Sequence, residues 1–540
     1  MLGLLNREAS TGTPPPRKPP GVIVGIDGSK VKIGADGKPI SQVGGTPLVD
    51  RTRNPVIGTG PMGRGKTQML EATLMDAQEG YTHSCVLWDF KRTMWKEIGA
   101  ARERMGQDVL VVDITRRGSG RVNPLMWIRR GDNFVADCQL AANKMTERDL
   151  QKGDDKSSHW INAAYSYMTG VIAYVMTACP DREKNFAGVR RHMLRGDEGS
   201  REMSRPGIHR LAVEAAQELW SSSLVWEPDE DDPTASPDDS ADDKSQAYRK
   251  AIYTTCSAML ADFADDVLEE QTAVSDFEPA DLVCGDRPLT VVISTNPPTA
   301  RRLRKVFRLI FTQIVDRLTE EIDTVSNRRR IFDTLLAIDE FLEFGIQEVS
   351  SWITYLREYG VKPLFLAQTF ESVVNTYGNV IASSASWVAF NPMAMNEAEL
   401  MSAALGDVDE VTESQSRTRK YLWDRPTVTD STRLERRPEI PASGMIDMDI
   451  SKVFVFGNGK AILTDRILAY CNHAYVKGPA SRQWTATATA NPWLREIVPV
   501  PERKAKEEEA ADKKEAARKR NADSRSISAL LGGYDDGDDA

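Results

Sequence analysis

The sequence predicts an α/β fold in which a parallel β-sheet is interrupted by a long helical insertion. Its first support is the segment GPMGRGKT, Gly60–Thr67, which has the GxxxxGK(S/T) spacing of a phosphate-binding loop. Apolar runs alternate with helical patterns up to residue 132 and again from residue 278, as in a parallel sheet with crossover helices. Between these two regions, residues 133–277 have only helical periodicity.

Composition and charge narrow the class of protein. The chain has 540 residues, of which 41% are hydrophobic and 27% charged, and its net charge is -10. This charge argues against a uniformly basic surface for nucleic acid, but a local basic lining remains compatible with it. Six scattered cysteines and five histidines show neither a disulfide framework nor metal-ligand spacing. The longest apolar stretch, Tyr167–Cys179, is shorter than the roughly 20 residues of a membrane span, so we expect a cytosolic protein.

The first 132 residues are predicted to contain the first strands of the sheet. Residues 1–20 form a Pro-rich, flexible lead, and the runs GVIVGID and KVKIGADGKPI indicate a β-hairpin with Asp36 and Gly37 at a turn. The phosphate loop follows the short strand PVI and leads into the helix TQMLEATLMDAQ, which ends at Gly80. Two buried strands, SCVLWDF and DVLVVDI, flank the helical segment TMWKEIGAARERMG.

The insertion at 133–277 is predicted to be an all-α domain. One helix face is marked by apolar residues three or four positions apart, namely Trp160, Ala164, Met168, Val171, Ile172 and Val175. Residues 228–243 interrupt the helices, and half of these sixteen residues are acidic while none is basic. That composition is typical of a solvated, disordered loop.

The alternating pattern resumes after residue 278, so residues 21–132 and 278–500 are predicted to form one nucleotide-binding domain. The strands are PLTVVIS, TLLAID, KPLFLAQ and SWVAFN, and the longest helix is RRLRKVFRLIFTQIVDRLTEEI. The segment KVFVFGNGKAILTDRI predicts a late hairpin with Asn458 and Gly459 at its turn. Residues 501–540 form a charged tail.

The phosphate loop predicts the binding of ATP with Mg²⁺. Gly60, Gly63 and Gly65 let backbone N–H groups face phosphate oxygens, since they carry no Cβ atoms that would clash. Lys66 is expected to reach the β- and γ-phosphates, and the Thr67 hydroxyl is expected to bind Mg²⁺. A Gly-rich turn explains the same letters, but its place between a strand and a helix favours the nucleotide interpretation.

The segment TLLAIDEF supplies the second half of the predicted site. Its apolar strand ends in Asp339 and Glu340, which therefore emerge at the carboxyl edge of the sheet, where open α/β sheets bind ligands. Asp339 is expected to hold Mg²⁺ through water, and Glu340 to orient or polarise the attacking water. The alternative is a solvated acidic pair that caps the next helix.

Two further polar residues lie at strand ends. Gln368 ends the strand KPLFLAQ, a position at which many motor ATPases have a polar group beside the γ-phosphate that can report hydrolysis. Arg357 lies in YLREYG, from which it would face the nucleotide of a neighbouring subunit. A solvated charge on a surface helix explains Arg357 equally well.

These segments, in this order, resemble the coupling ATPases of type IV secretion and conjugation, the TraG/TraD kind. The resemblance covers about residues 54–475. It is carried by NPVIGTGPMGRGKT, VNPL, HWINAA, PLTVVIS, LLAIDEFLEFG, YLREYGVKPLFLAQTFESVVNTYG and ELMSAALG. It implies a RecA-like P-loop motor domain with an inserted all-α domain, assembled as a hexameric ring around a channel.

The resemblance also implies residue roles. Lys66 and Thr67 match the family's phosphate-loop residues, and Asp339 and Glu340 its second acidic motif. Arg357 matches an arginine that acts across the subunit interface, and Gln368 a motif glutamine. The segment VLWDFK replaces the family's Asp-Pro-Lys-Gly-Glu, without its Pro and Gly, so we assign Asp89 no role. The family's N-terminal membrane helices are also missing, so we expect a separate small anchor protein or other secretion subunits to supply membrane attachment.

We therefore interpret the chain as a cytosolic, ring-forming ATPase that delivers a DNA–relaxase substrate to a type IV secretion channel. Its expected partners are copies of itself, single- or double-stranded DNA, a relaxase or accessory protein and channel subunits at the inner membrane. One alternative is an FtsK/HerA-like DNA translocase, although no FtsK-type winged helix is recognisable. Others are a nucleotide-gated adaptor for secreted proteins and, less compatible with the missing membrane span, a phage assembly ATPase.

Overall fold

A computed structural model shows how the two regions that flank the insertion form one sheet. It describes residues 19–33, 39–150, 156–225, 240–392, 394–418, 427–449, 451–457 and 459–468. The strands are β1 (Val22–Asp27), β2 (Lys30–Ile33), β3 (Pro39–Val43), β4 (Thr46–Asp50), β5 (Val56–Thr59), β6 (Ser84–Asp89), β7 (Asp108–Val112), β8 (Leu289–Ser294), β9 (Thr324–Val325), β10 (Arg328–Arg329), β11 (Thr334–Ile338), β12 (Val361–Ala367), β13 (Ser386–Ala389), β14 (Asp407–Thr418), β15 (Thr427–Pro438), β16 (Lys452–Gly457) and β17 (Lys460–Asp465).

The main sheet has eleven strands in the order β4-β1-β17-β16-β13-β5-β12-β11-β6-β8-β7. The run from β13 to β7 is parallel, and β16, β17, β1 and β4 extend it in antiparallel fashion. Both β11 and β12 are buried along their whole length. A parallel sheet is covered on both faces, which explains why these strands are continuous apolar runs in the sequence.

Helices pack on both faces of the sheet, and further helices form the insertion. They are α1 (Lys66–Met75), α2 (Met94–Arg104), α3 (Phe134–Thr146), α4 (Lys156–Ala178), α5 (Phe186–Met193), α6 (Asp197–Met203), α7 (Arg210–Val225), α8 (Ala241–Met259), α9 (Asp266–Gln271), α10 (Asp281–Cys284), α11 (Pro297–Arg302), α12 (Arg304–Leu318), α13 (Phe341–Phe344), α14 (Val349–Tyr355), α15 (Phe370–Tyr377), α16 (Asn379–Ser384), α17 (Met395–Leu405) and α18 (Ala442–Ile446). None of the helices within the described ranges is both long and apolar enough to span a bilayer.

Alternate residues of β11 divide between two cores. Leu335 and Ala337 pack with the apolar faces of α1 and α2, whereas Leu336 and Ile338 belong to the core shared with α12 and the inserted helices. Helices α3 to α9 lie between β7 and β8, within the predicted insertion, and the apolar residues of α4 line their common core. The α/β fold with an all-α insertion is therefore confirmed, while the domain boundaries stay a prediction.

Several local predictions differ from the structure. The long helix predicted after β8 is two helices, α11 and α12, which are separated at Leu303. Asp242 and Asp243, assigned to the acidic loop, lie in the first turn of α8, which begins after the capping side chain of Ser240. The late hairpin is confirmed as β16 and β17. Residues 34–38, Asn458 and the tail from 501 onward lie outside the described residues.

The sequence did not indicate a ribbon formed by β14 and β15, which pair with each other over twelve residues each. Both strands are largely polar, with charged or hydroxyl side chains at most positions. A strand with polar side chains on both faces has no apolar alternation, and alternation is the signal by which strands are found in a sequence.

Candidate nucleotide site

The carboxyl ends of four adjacent parallel strands bring the predicted site together. The phosphate loop follows β5, Gln368 follows β12, Asp339 follows β11, and Asp89 ends β6. The register pairs Ala367 with Thr59 and Ile338 with both neighbouring strands, so these ends are level. Ligands of open α/β sheets bind at this edge.

All three predicted glycines of the phosphate loop, Gly60, Gly63 and Gly65, have a positive φ that favours glycine. Gly60 has a φ of 152° and Gly65 a φ of 108°, a region that other residues rarely adopt. A Cβ atom on Gly60 would also lie 2.6 Å from the carbonyl oxygen of Phe390. The amide of Gly60 donates a hydrogen bond to the carbonyl oxygen of Gln368 (3.0 Å), which joins the loop to the end of β12.

Lys66, the first residue of α1, is folded into the phosphate loop. Its ammonium donates hydrogen bonds to the carbonyl oxygens of Gly60 and Pro61, the latter at 3.2 Å, and the residue is buried. Burial lowers the pKa of Lys66, an effect that the carboxylates of Glu340 and Asp339 oppose. Because the ammonium of Lys66 already lies within the phosphate loop, it can bind an incoming phosphate without first moving through bulk solvent.

Asp339 and Glu340 form the turn that follows β11. Asp339 is buried, and its carboxylate accepts a hydrogen bond from the amide of Glu340 (3.1 Å). Burial raises the pKa of Asp339, while the nearby Lys91 lowers it. Glu340 has a φ of 53°, an uncommon conformation for a residue other than glycine, and such strain clusters at functional sites.

Lys91 is a site residue that we did not predict. Its ammonium lies 3.4 Å from a carboxylate oxygen of Glu340 and 3.8 Å from one of Asp339. Residues 89 and 339 are far apart in the chain, but β6 and β11 are neighbouring strands. The available signal was its position just after a buried strand, the same signal that identified Asp339.

Asp89, to which the sequence assigned no role, organises the turn that carries Lys91. Its carboxylate accepts hydrogen bonds from the backbone amides of Lys91 (3.3 Å), Thr93 (3.2 Å) and Trp95 (3.5 Å). Burial raises the pKa of Asp89, and these backbone hydrogen bonds lower it. Asp89 therefore acts on the site through the backbone conformation of the turn before α2.

The phosphate loop and the carboxylates line one open pocket of about 150 Å³. Its lining residues are Pro61, Met62, Gly63, Arg64, Gly65, Lys66, Thr67, Gln68, Lys91, Asp339 and Glu340. Cationic groups, backbone amides and a helix start suit an anionic phosphate. The hydroxyl of Thr67 and the carboxylate of Asp339 are oxygen donors of the kind that Mg²⁺ prefers.

Two predicted catalytic residues lie outside this pocket. The side chain of Gln368 is exposed, and its backbone carbonyl accepts the hydrogen bond from Gly60 of the phosphate loop. Arg357 is exposed in a 3₁₀ turn, Leu356–Tyr359, that precedes β12 at the opposite edge of the sheet. The seven residues of β12 span about 23 Å, so Arg357 is remote from the pocket of its own chain.

Comparisons with known proteins agree with this architecture. The family model described as type IV secretory system conjugative DNA transfer matches residues 56–491. Two conjugal transfer proteins TraG of Escherichia coli are each 24% identical to this chain, over 365 and 362 residues. Each match covers 63% of this chain and 54% of the relative, so the chain spans about half the length of these relatives.

A solved structure is similar in fold. The bacterial conjugative coupling protein TrwBdeltaN70, in its trigonal form with sulphate, matches with a TM-score of 0.50 and 14% sequence identity. The match covers 85% of this chain and 96% of that chain. At this identity the likeness concerns the fold alone.

Proposed function

Because this chain belongs to the conjugative DNA transfer family of type IV secretory systems, we propose that it is a ring-forming coupling ATPase. It hydrolyses ATP as a hexamer and drives a DNA–relaxase substrate toward a secretion channel. The observation that carries the proposal is one pocket that combines the phosphate loop with the two carboxylates after β11. A phosphate-binding group and an acidic group for water are the two requirements of phosphoanhydride hydrolysis.

The phosphate loop binds the nucleotide in this proposal. Backbone amides around Gly63 and Gly65, together with the start of α1, face the phosphate oxygens. The ammonium of Lys66 exchanges its loop carbonyl partners for the β- and γ-phosphates. Because the ammonium is already buried within the loop, this exchange needs only a local movement of the side chain.

Thr67 and Asp339 are the residues that would hold Mg²⁺. Both line the phosphate pocket, and the buried carboxylate of Asp339 gains a counter-charge when a cation is near. When bound, Mg²⁺ neutralises charge on the phosphate oxygens. Its donor set here, a hydroxyl and a carboxylate beside a phosphate site, fits the preference of this ion for oxygen.

Glu340 orients and polarises the water that attacks the γ-phosphate. Its carboxylate reaches the pocket from the turn after β11, close to the phosphate loop. Gln368 sits between the two halves of the site, where its backbone bond to Gly60 joins movement of β12 to the phosphate loop. Arg357, remote from its own pocket, acts on the nucleotide of the neighbouring subunit.

DNA and protein partners complete the proposal. In this proposal, basic loops that face the channel contact DNA phosphates, an arrangement that permits an acidic exterior and the net charge of -10. The relaxase or an accessory protein delivers the DNA, and channel subunits or a small anchor protein hold the ring at the inner membrane. These partners follow from the family and not from a surface of this chain.

Two variants test the enzymatic part. Lys66→Ala should abolish tight ATP binding, because the phosphates lose a charged donor. Glu340→Gln should bind ATP but release no phosphate. Nucleotide affinity and phosphate release, with and without single-stranded DNA, measure both effects. Turnover at the wild-type rate in Glu340→Gln would remove this residue from catalysis, and nucleotide binding without DNA-stimulated turnover would favour an adaptor over a motor.

A further inference from the structure

Lys91 gives the nucleotide pocket a second lysine beside Lys66 in its lining. Its ammonium contacts the carboxylates of Glu340 and Asp339, and its side chain is 45% exposed. Lys66 is buried and hydrogen-bonded to its own loop. Lys91 is therefore the pocket ammonium that remains open to solvent and to an entering ligand.

The turn that carries Lys91 is fixed on both sides of this residue. Before it, the carboxylate of Asp89 holds the backbone amides of the turn. After it, Arg92 has a φ of 58°, and its guanidinium pairs with Asp113 (2.8 Å) and donates to the Thr115 hydroxyl (2.8 Å). A left-handed, non-glycine residue held by two partners keeps a turn in one conformation.

The position of Lys91 conflicts with a purely structural role. A lysine that only balances the charge of these two carboxylates does not need a strained and anchored turn. Glu340, moreover, must be available to polarise water, but its carboxylate is paired with Lys91 in this structure. Entry of an anionic phosphate offers Lys91 a competing partner with more negative charge.

We propose that Lys91 is a second phosphate-binding lysine, which pairs with Asp339 and Glu340 until a nucleoside triphosphate enters and then contacts its terminal phosphate. Transfer of the ammonium to the phosphate releases the Glu340 carboxylate for its water. The pocket would thus recognise a triphosphate over a diphosphate, since only the former supplies the oxygens that Lys91 reaches. This inference rests on the proposed nucleotide site.

The test compares two ligands across three variants. Dissociation constants for a non-hydrolysable ATP analogue and for ADP, each with Mg²⁺, are measured by calorimetry on the full chain. Lys91→Met should weaken analogue binding by about 10- to 100-fold while ADP binding changes little, as expected for loss of a charge-assisted hydrogen bond. Lys91→Arg should recover part of the preference. Lys96→Met is the matched control, because Lys96 is exposed on α2 over the ring of Trp95 and outside the pocket.

Each outcome supports or overturns the proposed phosphate-binding role of Lys91. An unchanged ratio of the two dissociation constants, or an equal loss for both ligands, would overturn the inference and make Lys91 a counter-ion of the carboxylates. A wild-type chain that binds neither ligand would instead refute the proposed nucleotide site itself. Selective loss of analogue binding in Lys96→Met as well would also reject the inference, because the effect would then not be specific to the pocket.

Discussion

Exchange of catalytic groups between two inactive variants tests whether Arg357 acts on a neighbouring subunit. Arg357→Ala leaves the phosphate loop and both carboxylates intact, so it should bind ATP nearly normally but hydrolyse it slowly. Glu340→Gln keeps the arginine and loses the carboxylate that we propose polarises water. Within one chain, the length of β12, about 23 Å, separates Arg357 from the pocket, so the two groups cannot serve the same site in a monomer.

The magnitude follows from the geometry of a ring. An arginine that stabilises charge on the transferred phosphate contributes roughly 10³–10⁵ in rate, so each variant alone should be nearly inactive. In a ring with head-to-tail interfaces, each site takes Glu340 from one subunit and Arg357 from the next. Equal mixing therefore gives about one complete site in four, and about a quarter of the wild-type rate when sites act independently.

Phosphate release is the assay, with mass measurement of differently tagged chains to confirm mixed rings. The control is a mixture of Lys66→Ala with Glu340→Gln, because Lys66 and Glu340 line the same pocket and no mixed ring can complete a site. Recovery in the first mixture only is expected. No recovery despite mixed assembly, or equal recovery in both mixtures, would refute an arginine that acts across the interface.

Two predictions concern stability. The side chain of Lys144 in α3 is only 2% exposed and pairs with Glu348, which lies just before α14. Breaking a buried ion pair lowers the free energy of unfolding by about 3–5 kcal/mol. The loss should be smaller here because the Glu348 side chain is 30% exposed. Lys144→Met should therefore lower the thermal unfolding midpoint by several degrees relative to Lys96→Met, and equal midpoints would show that the pair is not stabilising. Burial and a hydrogen bond with Glu97 raise the pKa of Glu71 from 4.5 to about 9. The native state therefore holds a proton that the unfolded state loses, and the free energy of unfolding falls as pH rises between these two values. Glu71→Gln should then gain thermal stability over wild type from about pH 5 to pH 8.5, and a gain that shrinks with pH would contradict the shift.

Much of the candidate site was predictable because its geometry follows from local rules. The phosphate loop has a fixed spacing, and its glycines are required by backbone conformations that other residues rarely adopt. Continuous apolar runs predicted buried parallel strands. Because the carboxyl ends of parallel strands meet at one edge, Asp339 could be placed beside the loop without knowing the strand order. The roles assigned to the site residues stay predictions.

The sequence by itself determined the fold class, the phosphate loop and the edge of the sheet at which the acidic pair emerges. Tertiary structure alone decided which side chains meet there. Lys91 reaches Glu340 because β6 lies beside β11, and Lys144 reaches Glu348 because α3 of the insertion packs near the start of α14. Strand order and helix packing are set by long-range burial, which leaves no periodic signal in a single chain, so neither ion pair could be read from residue spacing.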